Sequence, residues 1–231
     1  MKDVHAAWNA LPLAGIDQIL AGRRALILAP HPDDESLGAG GLIAAACAAG
    51  APPLVVILTD GAASHPGSAA YPPARLCRLR EAEAAGAMHV LGLPETNLIF
   101  LRLPDSKLAE FHGQATVRIK EIARALDCRL IFAPWAGDPH GDHEAAAMIA
   151  AACELPVISY PVWGWLRNDD IADAVIAGWR LDISEFAAAK QRAIAVHESQ
   201  YGALIQDSPA GFRLPADLLA TFARDFEVYL T

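Results

Sequence analysis

Two short segments carry most of the chemistry in this chain. Residues 29–35 read Ala-Pro-His-Pro-Asp-Asp-Glu, and residues 138–143 read Asp-Pro-His-Gly-Asp-His. The first sets His31, Asp33 and Asp34 directly after the apolar run Ala25-Leu26-Ile27-Leu28-Ala29. The second sets His140, Asp142 and His143 shortly after Leu130-Ile131-Phe132-Ala133. Each cluster falls where a buried strand ends, and open α/β sheets bind ligands at the carboxyl ends of their strands. A metal explains the pairing best. Catalytic zinc takes three protein ligands and keeps one position open for water. His31 and Asp34 are three positions apart, so a strand-to-helix turn lets both face one point. His143 is the preferred third ligand. Asp33 is then a spare carboxylate able to take a proton from water, and His140 a second spare group able to supply a proton or steady negative charge. The plainer alternative makes Asp33, Asp34 and Glu35 acids at a helix N-terminus, where negative charge is favoured. It leaves the two histidines of the second cluster unexplained.

On these residues the chain resembles the PIG-L/LmbE-like family of zinc-dependent de-N-acetylases. The family pairs A-H-P-D-D-E near the N-terminus with a later H-x-D-H, matched here by His31-Pro32-Asp33-Asp34-Glu35 and His140-Gly141-Asp142-His143. Leu58-Thr59-Asp60-Gly61 matches its second strand and turn. Arg80, Glu83, Ala87 and Leu91-Gly92 fit its R-x-x-E-x-x-x-A-x-x-x-L-G helix, and Lys190, Ala193, His197 and Ser199-Gln200 fit its K-x-x-A-x-x-x-H-x-S-Q stretch. The likeness covers about residues 24–200. It implies one zinc ion per chain on His31, Asp34 and His143, with Asp33 as proton acceptor. It also implies that His140 steadies the oxyanion, that Asp142 orients a ligand imidazole, and that Arg80 and Asp105 hold sugar hydroxyls. The implied activity is hydrolytic removal of an N-acetyl or other N-acyl group from an amino sugar or sugar-containing small molecule. Other reactions on the same zinc site stay open, such as hydration of an unsaturated carboxylic acid or cleavage of a non-sugar amide, because fold does not fix function. A non-catalytic ligand-binding module is disfavoured because Asp33 and His140 are both present. A plain nucleotide-binding Rossmann protein is disfavoured because Gly38, Gly40 and Gly41 do not form G-x-G-x-x-G and follow an acidic turn.

The elements that must position these residues alternate. Apolar runs at 25–29, 54–59, 98–102, 129–133 and 156–160 read as strands, and 36–49, 74–91, 114–127 and 143–153 read as helices. This order predicts an α/β, three-layer Rossmann-like fold: a mostly parallel central sheet flanked by helices, in a single domain over 1–231. The near-continuous apolar runs fit strands covered on both faces. The three glycines are read as allowing close helix–strand packing. Residues 1–22 read as an amphipathic helical extension outside the core or against a second subunit, and 201–231 as a closing C-terminal helix, with helical spacing over 214–230. Tyr160 to Leu166 read either as an edge strand with a packed loop or as an aromatic pocket wall. Residues 62–73, with His65, read as a lid over the pocket. His197 is placed in the core or the pocket; His5, His89 and His112 receive no role.

Composition narrows the class. No apolar run in the 231 residues approaches the ~20 needed to span a membrane. Residues Met1 to His5 lack a signal-peptide apolar region, so a cytoplasmic location is expected. The net charge of −9 and the lack of a basic cluster argue against a nucleic-acid partner. The expected partner is a small amino-sugar-type substrate, with a homo-oligomer left open. Cys47, Cys77, Cys128 and Cys153 form no C-x-x-C pair and are read as reduced thiols, not zinc ligands.

Overall fold

The apolar runs become strands because β-branched and large aliphatic residues fill a pleated surface buried on both faces. The computed structural model describes residues 4–167, 177–202 and 204–231. It runs α1 (Val4–Asn9), β1 (Leu13–Ala14), α2 (Ile16–Leu20), β2 (Ala25–Ala29), α3 (Asp34–Ala48), β3 (Leu54–Thr59), α4 (Pro73–Val90) and β4 (Leu98–Leu103). Then follow α5 (His112–Ala125), β5 (Leu130–Pro134), α6 (Gly141–Ala152), β6 (Val157–Tyr160), β7 (Gly178–Asp182), α7 (Ala187–Val196), α8 (Glu198–Tyr201), α9 (Ala216–Thr221) and β8 (Phe226–Leu230). The eight strands form one sheet in the order β1-β7-β8-β6-β5-β2-β3-β4. Every pairing is parallel except those of β8, which runs antiparallel to β6 and β7.

Side-chain alternation divides the core. Ala25, Ile27 and Ala29 of β2 face α3, α4 and α7, while Leu26 and Leu28 face α5 and α6. The result is three layers, helix on sheet on helix. The glycines of α3 bring that helix close. A Cβ on Gly38 would lie 2.1 Å from the Tyr160 ring, and one on Gly41 would lie 2.5 Å from Ile183.

Three expectations are corrected. The N-terminal segment is not an outlying extension: Trp8 and Ile19 lie in the main core, and β1 joins the sheet beside β7. Residues 1–3 lie outside the described residues. The segment 214–230 is not one helix. It holds the short α9 and then β8, whose Phe-Glu-Val-Tyr-Leu sequence is better suited to a strand. A buried acid is tolerated in that strand because Glu227 accepts from Gly41 N at 2.7 Å, Leu42 N at 2.8 Å, Lys190 Nζ at 2.6 Å and Tyr229 OH at 2.8 Å. Insertion of β8 also makes β6 an interior strand, flanked by β5 and β8. Beyond β6, Trp165 packs edge-on against Trp8 with centroids 4.8 Å apart. All four cysteines are free thiols. No helix among the described residues is long and apolar enough to cross a membrane.

Candidate active site

The site lies at the carboxyl ends of β2, β3 and β5. The turn after β2 is tied to β3, because the Pro30 carbonyl accepts Thr59 N at 2.9 Å and Thr59 Oγ1 at 2.8 Å. The chain then turns sharply into α3, with Asp33 at φ 145° and ψ −31°. A non-glycine residue in that region costs about 1–3 kcal/mol and persists only where its surroundings hold it. Glu35 accepts Asp33 N at 3.0 Å, and Arg80 Nη2 donates to Pro32 O at 2.8 Å. The Asp33 side chain makes no helix cap, so helix capping does not account for it.

Three groups converge below this turn. Asp34 Oδ2 lies 3.0 Å from His31 Nδ1 and 3.2 Å from His143 Nε2. Ligand atoms on one tetrahedral zinc, with Zn–N and Zn–O bonds of about 2.0–2.1 Å, stand about 3.3 Å apart. The fully buried His143 Nε2 has no hydrogen-bond partner. An orphaned imidazole nitrogen facing a carboxylate oxygen and a second imidazole is a donor set that fits a divalent cation. Nitrogens of His31, His140 and His143 also come within 4.8 Å of one another, as do ligand atoms of His31, Asp105 and Asp142. Both converging histidines are backed by carboxylates on their far nitrogens. Asp138 Oδ2 lies 2.9 Å from His143 Nδ1, and Asp142 Oδ2 lies 3.1 Å from His31 Nε2. Such carboxylates fix the ring orientation of metal-binding histidines.

Asp138 had no assigned role in the sequence. Besides His143 it accepts Val162 N at 2.9 Å, Trp163 N at 3.2 Å and Gly164 N at 2.7 Å. One buried carboxylate thus joins the loop after β6 to the imidazole. The only advance signal was its place at the head of the Asp-Pro-His-Gly-Asp-His segment. Asp142 is itself held by Ser106 N at 2.8 Å and Leu108 N at 3.0 Å. Asp105 accepts Ala63 N at 2.9 Å, and its Oδ1 lies 3.4 Å from His31 Nε2.

Arg80 borders the cavity, but its terminal donors are committed. Nη1 donates to Gly61 O at 2.9 Å, and Nη2 contacts Asp33 Oδ2 at 3.2 Å as well as Pro32 O. Gly61 is at φ 62°, and a Cβ there would lie 2.6 Å from the guanidinium; Thr-Asp-Gly at this turn leaves room for Arg80. His140 caps α6, accepting Asp142 N at 3.2 Å through Nδ1. Its proton therefore sits on Nε2.

Electrostatics separates these groups. Burial pushes the Asp33 carboxyl up against the lowering effect of Arg80, to about 7. Burial acts the same way on Asp34, but His143 and His31 outweigh it and hold this carboxyl well below the ordinary range. Burial depresses His31, yet Asp105, Asp142 and Asp34 outweigh it and hold the imidazole well above its usual value. His143 is likewise brought to about 9, burial being overcome by Asp34 and Asp138. His140 goes the other way, to about 4, through burial and the neighbouring His31 and His143. Without a metal, the cluster therefore holds protons on two histidines among carboxylates. A cation bound there exchanges with those protons.

The second half of the chain braces this arrangement. Glu83 on α4 accepts Ser199 N at 2.8 Å and Ser199 Oγ at 2.6 Å. His197, buried in the core, lies 3.3 Å from Glu35 Oε1 and 3.1 Å from Ser36 Oγ. Gln200 borders the cavity with Nε2 on Ser199 Oγ at 3.0 Å and Ser64 Oγ at 3.3 Å, while its buried Oε1 has no partner. The cavity, about 440 Å³, is bordered on one side by His31, Asp33, Asp34 and His140, and it extends to Trp163 and Phe212. The loop 62–73 reaches it through Ala63, Ser64 and Pro66. That loop is tied to the segment before α9: Phe212 N donates to Ser64 O at 2.8 Å, Ser68 Oγ to Asp207 at 2.6 Å and Ser208 Oγ to Pro66 O at 2.8 Å.

Known proteins match this chain as follows. The sequence signature of the PIG-L family, described as GlcNAc-PI de-N-acetylase, matches residues 26–153. A protein of Bacillus anthracis named probable N-acetyl-alpha-D-glucosaminyl L-malate deacetylase 2 is 26% identical over 196 residues, spanning 80% of this chain and 84% of the relative. A conserved protein of Thermus thermophilus has a crystal structure with a TM-score of 0.66 at 26% identity, covering 90% of this chain and 94% of that one. The N,N'-diacetylchitobiose deacetylase of Pyrococcus horikoshii shares the fold with a TM-score of 0.68 at 18% identity, covering 100% of this chain and 94% of that one.

Proposed function

Because the chain belongs to the PIG-L family, whose signature spans more than half of it, we propose that it is a zinc-dependent N-deacetylase of an amino sugar or sugar-containing small molecule. The observation that carries this reading is the convergence of His31 Nδ1, Asp34 Oδ2 and the orphaned His143 Nε2 beside a pocket carboxylate, Asp33, held through one oxygen by Arg80. His31, Asp34 and His143 hold the zinc. When bound, zinc supplies positive charge that acidifies water and polarises the amide carbonyl.

The remaining work belongs to side chains. Asp33 takes a proton from water as its oxygen forms a bond to the acetamide carbon. The carbonyl π pair moves onto oxygen, where the His140 Nε2–H donates a hydrogen bond to the developing charge. Asp33 then hands its proton to the nitrogen as the C–N bond breaks, leaving acetate and the free amine. Burial raises the Asp33 carboxyl in the metal-free protein, and a carboxyl raised toward neutrality serves as both base and acid. Arg80 positions Asp33 by holding one of its oxygens and the preceding carbonyl. Asp142 and Asp138 orient the two ligand imidazoles. Asp105 and the free Gln200 Oε1 are placed to accept sugar hydroxyls.

The test is acetate release, followed by NMR, from N-acetylglucosamine derivatives with zinc-loaded protein. Unsaturated carboxylic acids run as the second arm. Elemental analysis should give about one zinc per chain, with loss in His143→Ala and retention in Cys77→Ser. Hydration of the acids without acetate release would replace the deacetylase reading. Full activity in metal-free protein would end the zinc reading.

A further inference from the structure

Part of the cavity lining is apolar. Trp163 and Phe212 meet edge to face with centroids 5.6 Å apart, and Leu214 and Pro66 extend the surface. Both aromatic residues are fixed from behind. Trp163 N donates to Asp138, the carboxylate that orients His143, and Phe212 N donates to Ser64 O. The wall is therefore held in register with the candidate metal ligands. Trp163 and Phe212 are both half-buried, so each leaves ring surface open to the cavity.

Resting on the deacetylase reading, we propose that the substrate carries an apolar, ring-sized group that packs against Trp163 and Phe212. Two alternatives fit this wall less well. A second sugar can lay a C–H face on the rings, but the indole N–H is the one side-chain hydrogen-bonding group on the four residues for those of its hydroxyls that are covered. A desolvated hydroxyl without a partner is disfavoured. An anionic group, such as the malate of the Bacillus relative, meets no cation on these four residues. Among the described residues, the one Lys or Arg bordering the cavity is Arg80, whose terminal nitrogens go to Asp33 and two carbonyls and whose Nε is buried. Arg167, beyond Trp163, donates to Gly137 O at 2.7 Å. Residues 168–176, which follow it, contain three aspartates and no lysine, arginine or histidine. The cation next to Phe212 in sequence, Arg213, is exposed between Phe212 and Leu214.

The apolar group can be attached through the glycosidic oxygen or through the acyl carbon, and the test separates the two. Zinc-loaded protein is assayed with N-acetylglucosamine, its phenyl β-glycoside, N-phenylacetylglucosamine, N-acetylglucosaminyl malate and N,N'-diacetylchitobiose. One ring-bearing compound should exceed N-acetylglucosamine in kcat/KM by about 10- to 100-fold, the value of burying one aromatic ring. Phe212→Ala and Trp163→Ala should each reduce that ratio by about tenfold or more, and Phe212→Tyr should keep it. A preference for the malate conjugate that disappears in Arg213→Ala would overturn the proposal, and so would a preference for chitobiose. A ring preference unchanged in both alanine variants would overturn it too. Calorimetry with phenyl and methyl glucosaminides gives a readout without turnover. Tighter binding of the phenyl compound with no hydrolysis of any substrate would sink the deacetylase reading and leave this one standing. Hydrolysis without ring preference would do the reverse.

Discussion

Replacing Asp138 with asparagine tests how the site is held together. The carboxylate side chain is fully buried and receives four N–H donors. Three of them, His143 Nδ1, Val162 N and Trp163 N, converge on Oδ2, while Gly164 N reaches Oδ1. An asparagine can set its oxygen at the Oδ2 position, but its NH2 group then faces the Gly164 N–H. One bond becomes a donor–donor contact worth about 1–3 kcal/mol, and the other three fall from charge-assisted to neutral, about 1 kcal/mol each. These losses are not additive, so a net destabilisation of about 3–5 kcal/mol is expected, the range for breaking buried charged networks. His143 also loses the anion that orients its ring, which should weaken zinc binding by about 10- to 100-fold. Urea unfolding of the metal-free variant reads the first quantity, and competition with a fluorescent zinc chelator on the folded variant reads the second. Zinc affinity within about threefold of the parent, alongside the stability loss, would reduce Asp138 to a loop anchor and refute its role in positioning His143.

Asp33→Asn should retain zinc but lose turnover by about 10²- to 10⁴-fold, measured as acetate release; loss of the metal would instead make Asp33 a ligand. Lys190→Met strands the Glu227 carboxylate, 2.6 Å from the ammonium with both side chains 2% exposed, and should cost about 3–5 kcal/mol in urea unfolding. A change below about 1 kcal/mol would mean that the three other donors suffice for Glu227. Burial works against protonation of His197, but Glu35 outweighs it and raises its pKa in the folded protein. A raised folded pKa gives stability present in full below the unfolded value of about 6.5 and lost as pH rises through the folded value. The stability gap between the parent and His197→Gln should therefore narrow as pH rises above about 6.5, and a widening gap would show that His197 is neutral when buried.

Much of the fold was legible because its signals are local. Continuous apolar runs followed by helical stretches give parallel strands with crossovers, and the five strands read from such runs lie at β2 to β6. The motif residues of both clusters were legible for the same reason: each lies within seven consecutive residues at a strand end. The C-terminus was misread because 214–230 mixes apolar and charged residues at helical spacing, and Phe-Glu-Val-Tyr-Leu, with one charge in five positions, is too short to separate a period of 2 from one of 3.6. Its burial depends on Lys190 and the α3 amides reaching Glu227, contacts across 37 and 185 residues or more. The N-terminal segment was misread for a similar reason, since Trp8 finds Trp135 and Trp165 only after the sheet has formed.

Residue type and spacing alone determined which groups could bind a metal and which strand ends would present them, since a carboxylate or an imidazole keeps its chemistry wherever the chain carries it. Tertiary structure decided the division of labour. Asp33 and Asp34 are adjacent and identical in type, yet burial lifts one to about 7 against the pull of Arg80, and the two imidazoles hold the other low. Asp138 carried no role in the sequence and Arg80 was expected to hold sugar hydroxyls, whereas folding buries them against His143 and Asp33. A side chain's pKa and orientation come from its surroundings, and these neighbours are brought from far along the chain.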